Sequence, residues 1–466
     1  MPVSGPPRSF AELDDAIPRY DSFFTVREHR ERNRALADKH DHVTYQDLGD
    51  SSGGNPLWAV TVGDGSRTAL LFGAPHPNEP IGSMTIDFLL HELADNDELR
   101  ASLDYEFVCL PVADPDGVQK NEGWFDGPFT LANYATNFYR PPPHRQVEAT
   151  FPVEHEQYVF DDPIPATQGL ADLIETHHPD LIYSFHNTGF GGCYYLFTEP
   201  LEPLWEPLRD LPDEYGIPLD LGEPEVYDSK AFEEPFYCLQ TFEDQYKDAV
   251  GDEHTDPEEV LLGGNAYDHA HQFNEDVVEI IVELPYFYEP RISDETELDL
   301  SREAVIREGT ERRRQLLREW QAAAMAVEKF LPDTPMAQEA TGTAFFFEDQ
   351  YDDKVEWAAA SPETDKPATA AQAVDARYVR DYQLLPYVGM LLRAIDHAVM
   401  GAEDEARNRL LDAKEALENV FHKWIGELRG ELDYETLPIW KLVAIQARAG
   451  LFCLDYRQRE LDGDSG

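Results

Sequence analysis

The stretch TALLFGAPHPNE, residues 68–79, decides the fold class and points to the chemistry of this chain. Its first half is a short apolar run, as a buried strand should be. The run leads into a turn that carries His76 and Glu79, three residues apart. Imidazole nitrogen and carboxylate oxygen bind Zn²⁺ at roughly 2.0–2.2 Å, and a turn at a strand end can point both groups toward one ion. The stretch therefore predicts half of a metal site.

Further apolar runs of strand length alternate with helical patterns. The strands are predicted at 105–112, 180–185 and 276–283, with one helix at 81–96, before the first of them, and another at 170–176. Such alternation is typical of an α/β sheet with helices on both faces. Ligand sites in these sheets lie beyond the strand ends, so chemistry is expected there.

A third metal ligand and a base are expected at other strand ends. A catalytic zinc site has three protein ligands and one open position for water. His186 follows the apolar run at residues 181–183 and is the expected third ligand. Glu283 ends the run DVVEIIVE, where burial would keep its carboxylate close to the metal as a general base.

Four motifs, in order along the chain, resemble those of the zinc carboxypeptidase family. HPNE at 76–79 resembles the metal-binding pair, and ADPDG at 113–117 resembles the Asn-Pro-Asp-Gly signature. SFHN at 184–187 resembles the third-ligand segment, and VEL at 282–284 resembles the segment of the base. The resemblance covers about residues 50–330.

The resemblance implies an α/β fold with a mixed eight-stranded sheet and helices on both faces. It also implies one Zn²⁺ per chain, held by His76, Glu79 and His186, with Glu283 as the general base. The expected reaction is cleavage of a C-terminal peptide (amide) bond by metal-activated water.

The substrate-binding residues depart from the family pattern. Residues 121–127 lack the arginine that polarises the scissile carbonyl, and the family's Asn-Arg pair is represented by Asn137 and Arg140, which are spaced apart. Arg140 is expected to stabilise the oxyanion or to hold a carboxylate, and Arg145 is an alternative for either role. Tyr267 is the candidate for the family's mobile tyrosine.

These departures leave two alternatives to carboxypeptidase activity. One is a zinc amidohydrolase of N-acyl amino acids or other small amides, similar to aspartoacylase. The other is a non-catalytic, zinc-retaining binding protein. For the two hydrolase hypotheses we expect a peptide or a small amide as the substrate, and for the binding protein a partner recruited by the helical C-terminal part.

The composition limits the partners and the location. The net charge is -55 over 466 residues, while 42% of the residues are hydrophobic. We interpret this as a folded protein with an acidic surface, suited to a salt-rich, halophilic cytoplasm. Nucleic acid and membrane are not expected as partners because both attract basic surfaces. The sequence contains no stretch of 18 apolar residues, so no membrane span is predicted.

The sequence pattern suggests three parts. Residues 1–45 read as a polar N-terminal leader and residues 46–332 as the zinc carboxypeptidase-like catalytic domain. Residues 333–466 read as an all-helical C-terminal extension, broken near Gly401 and Gly430. We expect the extension to serve packing or homo-oligomerisation.

Overall fold

The computed structural model describes residues 10, 13–224, 229–251 and 261–463. The strands are β1 (Val43–Asp50), β2 (Pro56–Val62), β3 (Arg67–Gly73), β4 (Tyr105–Leu110), β5 (Val153–His155), β6 (Tyr158–Phe160), β7 (Leu181–His186), β8 (Tyr194–Phe197), β9 (Ala231–Glu233), β10 (Phe236–Cys238), β11 (Val278–Glu283), β12 (Phe287–Tyr288), β13 (Glu297–Ser301), β14 (Pro367–Thr369) and β15 (Glu435–Thr436).

The helices are α1 (Val26–Lys39), α2 (Ile81–Asp95), α3 (Asp97–Ser102), α4 (Pro115–Asn121), α5 (Leu131–Asn137), α6 (Pro165–His177), α7 (Trp205–Asp210), α8 (Phe242–Gly251), α9 (Ala266–His271), α10 (Arg302–Val327), α11 (Pro335–Ala360), α12 (Ala370–Val374), α13 (Arg380–Gly401), α14 (Asp404–Glu431) and α15 (Ile439–Leu461). A π-helical turn, Asp375–Val379, joins α12 to α13. None of the helices in the described ranges is long and apolar enough to cross a membrane.

A nine-stranded mixed sheet forms the centre of the described structure, in the order β1-β2-β4-β3-β7-β11-β8-β10-β9. Strands β4, β3, β7 and β11 are parallel to one another, whereas β2 and β8 pair antiparallel on either side of them. The mixed α/β class with helices on both faces is confirmed. The sheet has nine strands, one more than the expected eight, and a short hairpin of β9 and β10 forms the edge next to β8.

Side chains alternate between the two faces of the sheet, and each face has its own core. On one face, Leu71, Tyr183 and Ile280 pack in the cluster that includes α2 and α15. On the other, Leu70 and Ile182 pack against α6 and α9. Because both faces of the central strands are covered, these strands read as near-continuous apolar runs.

The helices after residue 302 pack against each other and against the sheet layer. Helices α10, α11, α13 and α14 contact one another, and α13 also contacts α5. A Cβ at Gly389 of α13 would lie 2.0 Å from the carbonyl oxygen of Ala135, so only glycine permits this close approach. Helix α15 packs on α2, β7 and β11. The boundary at residue 332 stays a prediction, and the contacts of α13 and α15 cross it.

The leader also contacts the rest of the fold. Helix α1 begins at a capping box, in which the Thr25 and Glu28 side chains each bond the other's backbone N–H. The helix packs on α2 and β1, and its Arg32 forms a bidentate ion pair with the buried Asp87 of α2. The helical part of the leader is therefore attached to the sheet layer.

One side chain of α15 connects the last helix to the ends of two central strands. The Nε2 of the fully buried Gln446 donates to the carbonyl oxygens of His186, at 2.8 Å, and Val282, at 3.4 Å. Its Oε1 accepts a hydrogen bond from the Thr85 hydroxyl of α2 at 3.0 Å. One amide thus connects α15, α2, β7 and β11.

The substitution Gln446→Leu should lower the free energy of unfolding by about 1–3 kcal/mol, because it leaves buried acceptors without a donor. Denaturant unfolding measures the change. The control is Gln458→Leu on the same helix, where the lost hydrogen bond to the Asp104 N–H is solvent-exposed and water replaces it. Equal stability of the two variants would contradict the role assigned to Gln446.

Candidate metal centre

Three side chains from two strand ends converge on one point. His76 and Glu79 lie in the turn after β3, which is closed by a hydrogen bond from the Glu79 N–H to the His76 carbonyl at 3.0 Å. His186 is the last residue of β7. One ligand atom from each residue lies within 4.8 Å of the others, and the two imidazole centroids are 4.8 Å apart. The expected metal ligands are therefore brought together.

The two imidazole rings present the same nitrogen to the centre. His76 Nδ1 lies 3.2 Å from Glu79 Oε1, and His186 Nδ1 lies 3.1 Å from Glu79 Oε2. Adjacent ligands of a tetrahedral zinc ion, each at roughly 2.0–2.1 Å, lie about 3.3 Å apart. Two Nδ1 atoms and a carboxylate at this spacing fit a zinc ion between them.

Glu148, which the sequence analysis did not identify, lies next to the Nε2 atoms on the opposite side of both rings. Its Oε2 lies 3.2 Å from His186 Nε2 and 3.6 Å from His76 Nε2, and Ser184 donates to its Oε1 at 2.6 Å. A carboxylate on the far nitrogen fixes the orientation of a metal-binding imidazole and raises its basicity. Glu148 lies in a short 3-10 turn, Val147–Ala149, with no local motif that marks it.

Buried charges around the rings shift their pKa values. Burial alone would lower the pKa of His186, but Glu148 and Glu79 outweigh it and raise that pKa well above its usual value. Burial raises the pKa of Glu148, yet the imidazoles bring it down to about 2. The pKa of Glu79 is also lowered, by His76 and His186 against the effect of burial. Both carboxylates thus favour their ionised forms, as Glu79 must to be the ligand of a cation and Glu148 must to be the charge behind both imidazoles.

The expected catalytic residues face the same centre. Glu283 ends β11 beside His186, with its Oε1 3.8 Å from His186 Nδ1, and only 8% of the residue is exposed. Arg140 places its Nη1 3.7 Å from Glu79 Oε1. Burial lowers the pKa of His76, and the charge of Arg140 adds to that shift. Glu283 and Arg140 both line the cavity that contains the expected metal ligands.

The three expected substrate-binding residues do not line this cavity among the residues that the structure describes. Asn137 donates to Asn133 within α5, because its place in the last turn points it along the helix. Arg145 is exposed in a short 3-10 turn. Tyr267 stacks on His271, 5.4 Å away, and packs against the core beneath α6. Asn137, Arg145 and Tyr267 lie outside the cavity lining formed by the described residues, and their assignment to substrate binding stays a prediction.

Asn78, Asn187 and two tyrosines order the turns around the centre. The Asn187 N–H donates to Glu79 Oε2 at 3.2 Å, which fixes the carboxylate. Tyr286 donates to the Asn78 carbonyl and to Asn187 Oδ1, each at 3.2 Å, and Asn78 donates to the Tyr134 hydroxyl at 3.2 Å. These hydrogen bonds connect the turn after β3 with those after β7 and β11.

The centre opens into a cavity of 560 Å³. The ends of β7, β8 and β11 form one side. Helices α11 and α13 form the other, with the aromatic side chains of Phe347, Tyr382 and Tyr387. The helices after residue 332, for which packing or oligomerisation was expected, thus also shape the site.

A comparison with protein families covers part of the centre. The model of the zinc carboxypeptidase family (peptidase M14) matches residues 31–146, which include His76, Glu79 and Arg140. No curated protein sequence matches the chain significantly.

Solved structures of carboxypeptidases are similar to this chain. Carboxypeptidase A from Helicoverpa armigera is 16% identical, with a TM-score of 0.38 over 60% of this chain and 72% of that one. A metallo-carboxypeptidase from Burkholderia cenocepacia is 14% identical, with a TM-score of 0.34 over 58% and 61%. Bovine thrombin-activatable fibrinolysis inhibitor is 12% identical, with a TM-score of 0.36 over 57% and 87%.

Replacing Glu148 by Gln should weaken zinc binding by roughly 10- to 100-fold, because the variant keeps the shape but loses the charge that faces both imidazoles. Competition against a chelator of known affinity measures the change. The matched control is Glu154→Gln, an exposed glutamate of β5. Wild-type zinc affinity in Glu148→Gln would remove Glu148 from the metal site.

Proposed function

We propose that this chain is a zinc-dependent hydrolase that cleaves the C-terminal peptide bond of a short peptide. The observation that carries the proposal is the set of His76, Glu79 and His186 at metal-ligand spacing, with the Glu283 carboxylate at the same point. The family match over the segment with the first two ligands supports it.

The chain's residues divide the chemistry between them. Bound at the three ligands, Zn²⁺ supplies a Lewis acid and lowers the pKa of a water toward ~7. Glu283 is positioned to take the proton of the attacking water and to return it to the leaving amine. Its burial at a strand end holds the carboxylate beside the ligands. Glu148 and Asn187 keep the ligands oriented while the proton moves.

Arg140 is the group that we assign to the anionic part of the substrate. It faces the centre from the segment after α5, close to Glu79. A guanidinium there can stabilise the developing oxyanion or bind the terminal carboxylate. Asn137 and Arg145, the other candidates for this task, lie outside the cavity lining formed by the described residues.

A second candidate function is hydrolysis of N-acyl amino acids or other small amides. The wall of α11 and α13 favours it, because Phe347, Tyr382 and Tyr387 bound the cavity opposite the sheet. A cavity of 560 Å³ lies within the range of roughly 300–1,000 Å³ that is typical of small-molecule sites. Both functions use the same metal ligands and the same base.

The substitution Glu283→Gln should leave zinc content near one per chain and lower turnover by about 10²–10⁴-fold, since it removes the base but none of the ligands. Metal analysis and turnover on two substrate series, peptides with free C-termini and N-acyl amino acids, provide the measurement. Faster turnover of the peptides supports the first function, and faster turnover of the N-acyl amino acids the second.

The control for Glu283→Gln is Glu297→Gln, an exposed glutamate of β13, which should match the wild type. Undiminished turnover in Glu283→Gln would refute the base role. A zinc-loaded wild-type protein that turns over neither series would instead indicate the zinc-retaining binding protein.

Arg140→Ala should lower kcat/KM by roughly 10²–10³-fold with the metal retained, because the cation opposite the developing charge is lost. Lower kcat indicates an oxyanion role, whereas higher KM indicates binding of the terminal carboxylate. The control is Arg145→Ala, an exposed arginine outside the cavity lining, with wild-type kinetics expected. The assignment fails if the two variants behave alike.

A further inference from the structure

Tyr286 places one hydroxyl group between the two turns that carry the expected metal ligands. The residue is buried, and its hydroxyl lies 3.2 Å from the Asn78 carbonyl oxygen and 3.2 Å from Asn187 Oδ1. Both of these oxygens can only accept, so they share the single O–H of the tyrosine. Asn78 directly precedes Glu79 in the chain, and Asn187 directly follows His186. The hydroxyl therefore connects the two turns right behind the ligands.

The buried Asn187 connects this hydroxyl with a metal ligand and with the strand of the base. Its backbone N–H donates to Glu79 Oε2 at 3.2 Å, and its Nδ2 donates to the carbonyl oxygen of Leu284 at 3.1 Å. Leu284 is the residue after Glu283. A buried amide whose oxygen and nitrogen both have partners cannot rotate without a loss of hydrogen bonds. The Tyr286 hydroxyl thus helps to hold Asn187 in the orientation that serves both neighbours.

An aromatic side chain of the N-terminal leader packs against the ring of Tyr286. The centroid of the buried Phe23 lies 5.9 Å from that of Tyr286, with the ring planes at 79°. Trp124 lies edge-on against both rings, 5.1 Å from Phe23 and 5.2 Å from Tyr286. Edge-to-face pairs of this kind stabilise a defined ring orientation in addition to burying apolar area. The three rings therefore fix the direction in which the Tyr286 hydroxyl points.

Hydrogen bonds hold the leader at this place. The Phe23 N–H donates to the Phe125 carbonyl oxygen at 3.1 Å, and the Val26 N–H at the start of α1 donates to Glu122 Oε1 at 3.1 Å. Both contacts are made to the segment between α4 and α5. The family model begins at residue 31 and ends at residue 146, so Phe23 and Tyr286 both lie outside the matched segment.

We propose that Tyr286 is a positioning residue of the metal centre, and that the leader acts on the centre through the contact of Phe23 with the tyrosine ring. The hydroxyl sets the spacing between the turn with His76 and Glu79 and the turn that follows His186. Neither Tyr286 nor Phe23 belongs to the cavity lining formed by the described residues, so both act through the ligand turns. The inference rests on the metal centre of the proposed function and adds the leader to the metal-binding apparatus.

The first test is Tyr286→Phe, which keeps the ring and removes only the hydroxyl. Zinc binding should weaken by roughly 10- to 100-fold, the usual effect of losing a group that orients metal ligands. Competition against a chelator of known affinity measures this change. The absorption spectrum of the Co²⁺-substituted protein should also shift, because it reports the arrangement of the ligands.

The matched control is Tyr105→Phe. It also removes a buried tyrosine hydroxyl, which bonds the Leu454 carbonyl oxygen at 3.2 Å. Tyr105 pairs with Arg67 at the start of β3, whereas His76 and Glu79 follow the end of that strand. This variant should keep the zinc affinity and the cobalt spectrum of the wild type.

The second test concerns the leader. Phe23→Ala should weaken zinc binding by less than Tyr286→Phe, and Phe23→Leu, which fills more of the space, should restore part of the affinity. Because Phe23 acts through Tyr286, the double variant Phe23→Ala/Tyr286→Phe should bind zinc no more weakly than Tyr286→Phe alone. The control is Phe10→Ala, which removes another buried ring of the leader, one that packs on Phe452 of α15. The folded Phe10→Ala variant should bind zinc like the wild type.

Wild-type zinc affinity and an unchanged cobalt spectrum in Tyr286→Phe would overturn the proposal. Additive losses in the double variant, or equal losses in Phe10→Ala and Phe23→Ala, would remove the leader from the metal site. A wild type that takes up no zinc would overturn both the proposal and the proposed function.

The metal-binding measurements separate this inference from the hydrolase function, since they need no turnover. Weakened zinc binding in Tyr286→Phe supports the positioning role even if the wild type hydrolyses neither substrate series. Hydrolysis by the wild type, combined with unaffected zinc binding in Tyr286→Phe, leaves the function in place and rejects the positioning role.

Discussion

Parallel pairing of β3, β7 and β11 in one register is the constraint on which the centre depends. Gly73 pairs with Phe185, and His186 pairs with Glu283, so the three strands end at one level. Glu283 and His186 therefore stand side by side, and the turn after β3 adds His76 and Glu79. A slip of one residue would send His186 or Glu283 to the opposite face. The two buried cores prevent such a slip, since each needs its own set of apolar side chains.

Burial at this edge makes charge pairing unavoidable. Ionised groups taken out of water are costly unless they are paired and hydrogen-bonded. The centre meets this condition with two carboxylates on opposite sides of two imidazoles, Glu79 at the Nδ1 atoms and Glu148 at the Nε2 atoms. The Nδ1 atom of each ring is thus available to a metal ion beside Glu79, while the Nε2 atom faces the carboxylate of Glu148.

Local patterns in the sequence predicted the residues that follow strands. His76, Glu79, His186 and Glu283 stand at the ends of apolar runs, and strand ends meet in space in an α/β sheet. The alternation of strands and helices likewise predicted the fold class. Helix breaks near Gly401 and Gly430 were also anticipated, and α13 and α14 end within a residue of these positions.

The remaining residues depend on contacts that no local pattern encodes. Glu148 reaches the rings because of how the segment after α5 packs, and Asn137 turns away because the end of α5 points it along the helix. The wall forms because α13 packs on α5 and α11 packs on α13.

The amide of Gln446 has a consequence for the order of events during synthesis. It bonds the backbone of His186 across a separation of 260 residues. Domains of a nascent chain fold as the ribosome releases them, yet this edge lacks its bridge until α15 has emerged. A chain that ends before α15 would contain His76, Glu79, His186 and Glu283 without the helix that bonds their strands. The edge that holds these residues is thus completed only when a segment 260 residues further along the chain has been made.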